Sequence, residues 1–348
     1  MNKTAVKVGI IGATGYAGAE LVRILLGHPY AQLTALGSVS FEGRAMSEVY
    51  PSLRGLCDLP CVSTEEVIER SDVVFACVAH GLSQPFAALC AQKGTAFIDL
   101  GADFRLASEA DYTAWYGGEF EDKALHADAV YALPELFREE IAPGRVLANP
   151  GCYPTCAGLG LFPALKHGLI ESDGIVIDAK SGVTGAGRAA TDTTHYPAVN
   201  EAFAPYKIAA HRHTPEIEQT LARAAGHPLK VVFVPHLLPV NRGILSTIYT
   251  RLRSEVTAEQ VREQYTAFYA GERFVRVLPE GGIANLRDVK YSNFCDISLH
   301  ADPRTGTLVI VAAIDNMVKG AAGQAVQNMN ILFDLPEDTG LTLIPPAF

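Results

Sequence analysis

Long apolar runs are missing from this 348-residue chain, as are basic blocks and paired Cys-x-x-Cys units. No segment reaches the roughly 20 apolar residues that a membrane-spanning helix needs. The opening Met1-Asn2-Lys3-Thr4-Ala5-Val6 moves straight into a strand pattern without the regions of a secretory signal, so a cytoplasmic protein is expected. A formal charge of −10 with no clustered Lys or Arg argues against nucleic acid or an anionic membrane as the main partner. It leaves room for an anionic small molecule at a local basic site. The seven cysteines, at 57, 61, 77, 90, 152, 156 and 295, are odd in number and scattered. They suggest neither a disulfide framework nor a zinc site, and no metal is expected. Cys77, Cys90 and Cys295 read as buried structural thiols. Repeats, low-complexity tracts and Pro/Ser-rich linkers are also absent, so any domain boundary must be a short turn, placed at Asn149-Pro150-Gly151.

What is present points to two domains, since the chain is longer than one ordinary core supports. The first half alternates short apolar runs (Val6 to Ile11, Leu33 to Gly37, Val73 to Val78, Ala96 to Leu100) with amphipathic stretches (Ala17 to Leu26, Leu82 to Gln92). This alternation predicts βαβ units and a parallel sheet. From about Gly174 the strand candidates lengthen: Gly174 to Lys180, Val231 to Val234, Ile244 to Leu252 and Leu308 to Ile314. Asp302 to Gly306 is a turn signal for an antiparallel hairpin, and this half reads as α+β. A last helix is expected from Lys319 to Phe333, with Ala322, Ala325, Val326, Met329 and Leu332 at helical spacing.

Three stretches carry chemistry. Gly12-Ala13-Thr14-Gly15-Tyr16-Ala17-Gly18 spaces its glycines three apart between the first strand and first helix. There a tight turn lets phosphate approach the backbone and helix-terminal amides meet a pyrophosphate. Gly12, Thr14, Gly15, Tyr16 and Gly18 are therefore candidate cofactor contacts. The second strand ends Leu36-Gly37-Ser38-Val39-Ser40, without the carboxylate of an NAD-selective site. Ser38, Ser40 and Arg44 are placed to receive a 2′-phosphate, which predicts NADP(H).

The second stretch, Val146 to Thr155, reads as strand, turn and helix start, with Pro154 in the first helical turn. Cys152 then sits at a helix N-terminus, where the partial positive charge favours a thiolate nucleophile. The third is His211-Arg212-His213-Thr214-Pro215-Glu216. Thr214 and Pro215 look like the N-cap and first residue of a helix ending near Ala225, with Gly226 as its stop. His211 and His213 at that loop end are acid/base candidates, and His-x-His also allows a metal reading.

At these residues the chain resembles the N-acetyl-γ-glutamyl-phosphate reductases, relatives of the aspartate-semialdehyde dehydrogenases. The resemblance runs nearly end to end. It rests on GATGYAG (12–18), HGLS (80–83), DLGADFR (99–105), NPGCYPT (149–155), SGVTGAGR (181–188), HRHTPE (211–216) and DNMVKGAAGQA (315–325). Ala79 stands where members commonly have proline. The resemblance implies an α/β Rossmann-type dinucleotide-binding domain over 1–149, completed by a C-terminal helix over 318–348. It also implies an α+β substrate and dimerisation domain over 150–317, with a mixed, largely antiparallel sheet, and a homo-dimer or homo-tetramer. Cys152 would be the nucleophile and a protonated His211 the acid/base. Ser181 and Gly182 would lie in a second glycine-rich loop, and Asn316 would reach the nicotinamide end.

The implied chemistry is attack of the Cys152 thiolate on an acyl phosphate, a thioester, and hydride transfer to give an aldehyde. The substrate's negative charge needs local cations, for which Arg105, Arg188 and Arg212 are candidates. Asn149, His213 and Glu216 are further candidate substrate contacts. The same scaffold would also serve aspartyl or aminoadipyl phosphate. The other class of reading is a nucleotide-sensing protein with a redox-sensitive Cys152.

Overall fold

The computed structural model describes residues 5–348; Met1–Thr4 of the opening stretch, read above as lacking a secretory signal, lie outside them. The chain divides into two compact units, one comprising the residues up to Pro150 with Ala321–Thr342, the other Gly151–Gly320 with Leu343–Phe348. The segment 318–348 is thus shared between the units, because the last helix ends at Leu332 and the tail after Leu341 has no regular structure.

In the first unit, β1 (Val6–Ile11), β2 (Ala31–Gly37), β3 (Cys61–Val62), β4 (Val73–Ala76), β5 (Ala96–Asp99), β6 (Val130–Tyr131) and β7 (Val146–Ala148) form one sheet ordered β3-β2-β1-β4-β5-β7-β6. Every pairing is parallel. That is why β4 reads as an unbroken apolar run and β5 as one up to Asp99: they are buried on both faces. The order reverses between β1 and β4, so the loops leaving these two strands flank the crevice where doubly wound sheets bind ligands.

The closing helix (Gly323–Leu332), preceded by a π-helical turn (Val318–Ala322), is covered on nearly all sides. The amphipathic stripe expected for it is incomplete as a description, because Gln327, Asn328 and Asn330 are buried too. Their amide N–H groups find acceptors. Gln327 donates to Glu135 and Glu337, Asn328 to the Ala132 carbonyl, and Asn330 to the Glu337 and Thr339 carbonyls, at 2.9–3.0 Å.

In the second unit, β8 (Ile175–Gly182), β9 (Ala204–Pro205), β10 (Val231–Leu238), β11 (Ile244–Arg251), β12 (Val275–Val277), β13 (Cys295–Asp302) and β14 (Thr307–Ile314) are ordered β12-β13-β14-β11-β8-β10-β9. The sheet is mixed: β12/β13 and β8/β10 are parallel and the other pairings antiparallel. The β13–β14 hairpin turns at the expected Asp302–Gly306 segment. Alternation along β8 buries Ile175, Ile177 and Ala179, while Val176 on the opposite face lies beside the exposed Val232 and Tyr249. No helix among the described residues is long and apolar enough to cross a membrane.

Candidate active site

The glycine loop differs in function from glycine to glycine. Gly12 has φ +76°, and a Cβ there would stand 2.4 Å from the Cys77 carbonyl oxygen. Gly18 would bring a Cβ within 2.4 Å of the Gly12 oxygen, so it is required for helix-to-loop packing. At Gly15, the N-cap of the helix Tyr16–Leu25, a Cβ would meet only the Gly12 oxygen at an ordinary 3.4 Å. That face of the loop is open, as backbone approach by a phosphate requires.

Around the loop, Thr14 and Ser38 are buried and share a hydrogen bond of 2.7 Å between their hydroxyls, and the Tyr50 hydroxyl donates to the Thr14 carbonyl. Ser38 is thus engaged with Thr14, whereas Ser40 and Arg44 are exposed; Arg44 pairs with Glu48 at 3.5 Å over the Phe41 ring. Tyr16 is partly exposed at the first helical position. Cys77, expected as a buried thiol, is half-buried in the loop that follows β4.

Beyond β4 and β5 lies a network that gives two of the sequence motifs a physical role. Ser83 donates through its hydroxyl to Asp99 and Asp103 at 2.9 and 2.8 Å, and Asp103 also accepts the N–H groups of Gly81 and Ser83. Both carboxylates are fully buried, and burial followed by the Asp103 charge pushes Asp99 up to about 6. Arg105, expected to hold substrate, is instead buried with its guanidinium on the carbonyls of Asn149 (2.9 Å) and Leu100 (2.8 Å). Asn149 is likewise committed, donating to the Ala321 carbonyl and accepting from Asn328. Both residues brace the strand ends because their buried polar groups find partners there.

In the second unit Cys152 is the first residue of the helix Cys152–Lys166, with Gly151 as its N-cap and Pro154 in its first turn. The thiol is half-buried, while Cys156 one turn on is fully buried, close to the Ala312 carbonyl, and pushed up to about 12 by burial. Only Cys152 has both access and a helix terminus. Two residues place it. Glu216, 0% exposed and expected to bind substrate, accepts the Gly151 N–H at 2.8 Å and so ties the nucleophile turn to the helix Thr214–Ala225. Gly320 passes so close that a Cβ there would lie 2.8 Å from the Cys152 Cβ. Neither role is visible as local sequence, because the partners are 65 and 168 residues apart.

His211 packs its ring against Tyr153 (5.5 Å between centroids), Tyr206 (5.5 Å), Phe233 (5.3 Å) and His213 (4.9 Å). Its Nδ1 accepts the His213 backbone N–H at 3.1 Å, so a neutral His211 carries its proton on Nε2. Burial, then the charges of Lys207 and Arg212, lower its pKa to about 4. The protonated His211 expected from sequence is therefore corrected: near neutral pH the free protein presents an imidazole whose Nε2–H is a neutral donor. Unfolded, the residue titrates near 6.5, so the unfolded chain takes up a proton that the folded one refuses. This contribution destabilises the fold progressively as pH falls from about 6.5 to about 4. Thermal melts across this range are expected to show a shallower acid slope for His211→Asn; equal slopes would contradict the assignment.

The remaining candidates spread around this centre. Ser181 is buried, its hydroxyl donates to the Gly182 carbonyl at 3.0 Å, and it also hydrogen-bonds Tyr153. Gly182 leaves no room for a side chain against Asn241 and Arg242. Asn316, expected at the nicotinamide, accepts the Gly243 N–H at 2.7 Å and donates to Thr184 at 3.0 Å, bracing the second glycine-rich loop. His213 is the N-cap of the helix, one position before the expected Thr214, and Gly226 stops it. Arg188 is exposed in a bend, and Arg212 is half-buried beside His211. The structure thus brings Cys152, Ser181, His211, His213 and Glu216 to one end of the second unit. Among the described residues no three His, Cys, Asp or Glu side chains are grouped to hold a metal ion.

Comparison with known proteins agrees with this arrangement. Residues 7–143 match the family model described as semialdehyde dehydrogenase, NAD binding domain, and residues 152–316 the one described as semialdehyde dehydrogenase, dimerisation domain. Among solved structures, aspartate semialdehyde dehydrogenase II from Vibrio cholerae superposes with a TM-score of 0.73 at 19% identity, covering 95% of this chain and 99% of that one. The aspartate semialdehyde dehydrogenase with NADP from Candida albicans gives 0.69 at 17%, with the same coverage of both. Fold and family models define an oxidoreductase of the semialdehyde dehydrogenase class. N-acetyl-γ-glutamyl-phosphate reductases from Brachyspira hyodysenteriae and Clostridium beijerinckii are 55% and 52% identical, each over 99% of this chain and 100% of the relative. The reductase from Pelotomaculum thermopropionicum is 54% identical over 97% of this chain and 98% of the relative. The chain belongs to the N-acetyl-γ-glutamyl-phosphate reductase family.

Proposed function

We propose that the chain reduces N-acetyl-γ-glutamyl phosphate to N-acetylglutamate 5-semialdehyde and phosphate, with NADPH as reductant, in arginine biosynthesis. The observation that carries the reading is the half-buried Cys152 at a helix N-terminus, braced by Glu216 and Gly320 at the end of the unit that also holds His211. Cys152 Sγ attacks the acyl carbon, the bond to the phosphate oxygen breaks, and phosphate leaves with the electron pair. The neutral His211 supplies its Nε2–H to the oxygen that becomes negative in each tetrahedral species, and the buried rings around it limit water at the thioester. When bound, NADPH would supply the hydride that converts the Cys152 thioester to a hemithioacetal. Collapse of that hemithioacetal releases the aldehyde and frees the Cys152 thiolate.

The cofactor fits the first unit, where the open face at Gly15 and the adjoining helix N-terminus accept a pyrophosphate. Ser40 and Arg44, with no carboxylate at the end of β2, suit a 2′-phosphate. Equal catalytic efficiency with NADH would remove this preference. Gly15→Ala is expected to raise the Michaelis constant for NADPH with the melting temperature kept, whereas Gly18→Ala lowers the melting temperature. The opposite pattern would reassign the two glycines.

The exposed Val232 and Tyr249 beside Val176 supply an apolar face for a homo-dimer or homo-tetramer, a reading that a monomer in sedimentation would refute. Seven free thiols suit a reducing cytoplasm. The substrate is tested by parallel assays with N-acetylglutamyl, aspartyl and N-acetylaminoadipyl phosphates. The first is expected to dominate in kcat/KM, and dominance of either other would replace it.

A further inference from the structure

Of the three arginines expected to meet the substrate's charge, Arg105 donates to two backbone carbonyls and Arg188 stands in an exposed bend. Arg212 adjoins His211 directly, and a substrate with two anionic groups needs more than one cation. A second cation stands close by in a segment that shows no motif. Tyr206 packs its ring on His211 at 5.5 Å and donates its hydroxyl to that of Tyr153, the neighbour of Cys152. Lys207 follows Tyr206, and a turn closed by the Ala210 N–H on the Lys207 carbonyl (3.0 Å) leads directly into His211. Lys207 is thus bracketed by two rings of the site.

Its backbone is unusual. Lys207 has φ +44° and Ala209 φ +56°, a left-handed region that glycine enters freely and a branched or long side chain does not. Such conformations persist where the surroundings hold them, and they gather at ligand sites. The lysine ammonium joins no hydrogen bond or ion pair among the described residues. Lys207 is exposed at the surface, and slight desolvation, then the charge of the nearby Arg212, push its ammonium below the ordinary lysine range. Two like charges on the segment that carries His211, with Lys207 lacking an anionic partner among the described residues, are relieved by an incoming anion.

We propose that Lys207 joins Arg212 in a subsite for the anionic phosphoryl group of the substrate, holding it beside Cys152 as the acyl–oxygen bond breaks. The inference rests on the acyl-phosphate reading above, in which the same subsite holds inorganic phosphate when the reaction runs backward. There phosphate oxygen attacks the thioester carbon, the carbon–sulfur bond breaks, and Cys152 leaves as thiolate.

Lys207→Gly tests this cleanly, since glycine accepts the left-handed backbone and the fold is expected to melt no lower than wild type. In the reverse direction the apparent KM for phosphate is expected to rise about ten-fold or more, the loss of one charge-assisted hydrogen bond. The KM for the semialdehyde stays within about two-fold, and Lys207→Arg recovers most of the loss. A rise confined to the semialdehyde KM would assign the cation to the substrate carboxylate and overturn the proposal. Unchanged constants would make Lys207 a solvated surface residue.

A second readout needs no turnover: inorganic phosphate is expected to slow iodoacetamide alkylation of Cys152 in the wild type and not in Lys207→Gly. Equal protection in both proteins overturns the proposal. Lys207-dependent protection in a protein without phosphate-dependent turnover would keep the anion site and discard the reductase reading.

Discussion

Cys152→Ala is expected to lower turnover by about a thousand-fold or more while leaving NADPH binding and the melting temperature near those of the wild type. The side chain is half-buried and its helix is otherwise anchored by an apolar body that includes Leu159, Leu161 and Leu165, so removing one sulfur costs the fold little. It costs the chemistry the atom that forms the thioester. The six other thiols are poor nucleophiles, since five are buried and burial pushes the Cys77 thiol well above the ordinary cysteine range. In wild-type protein offered acyl phosphate without reductant, intact-mass spectrometry is expected to show one N-acetylglutamyl adduct, mapped to Cys152. An active Cys152→Ala enzyme, or an adduct elsewhere, would sink the assignment.

The second large effect is expected at Glu216. Its carboxylate is fully buried and accepts the Gly151 N–H, the amide of the residue that caps the nucleophile helix. Glu216→Ala leaves that donor without an acceptor inside the protein, at a cost of about 2–3 kcal/mol. Because the donor belongs to the nucleophile turn, kcat is expected to fall by about a hundred-fold, with the KM for NADPH unchanged. Glu216→Gln keeps an oxygen acceptor and should recover much of both losses. If Glu216 touched substrate, Glu216→Gln would behave like Glu216→Ala and the loss would appear chiefly in the substrate KM.

How far the sequence reveals such residues depends on whether their partners are local. The parallel sheet is legible because strands buried on both faces read as unbroken apolar runs, as in Val73–Ala76. The glycine loop and the Pro/Gly-rich turn at Cys152 are legible because backbone geometry there demands particular residue types. The two-residue strands β3, β6 and β9 leave too little periodicity to read. Arg105 and Glu216 show the deeper limit. A charged side chain in a motif suggests a ligand, yet each satisfies backbone groups that only the folded chain brings near. Gly320 looks like a helix glycine until Cys152 lies against it. Lys207 is an ordinary lysine until its φ of +44° and its cationic neighbour are known.

The central claim is that this chain joins a nicotinamide cofactor to acyl-phosphate chemistry on Cys152. The most direct test runs the reaction backward, because acyl phosphates hydrolyse: N-acetylglutamate 5-semialdehyde, NADP⁺ and inorganic phosphate are mixed with the wild-type protein and NADPH absorbance is followed. NADPH formation that depends on phosphate and exceeds that with aspartate semialdehyde is the predicted result. NADPH formation that proceeds equally without phosphate, or none with either aldehyde, would contradict it.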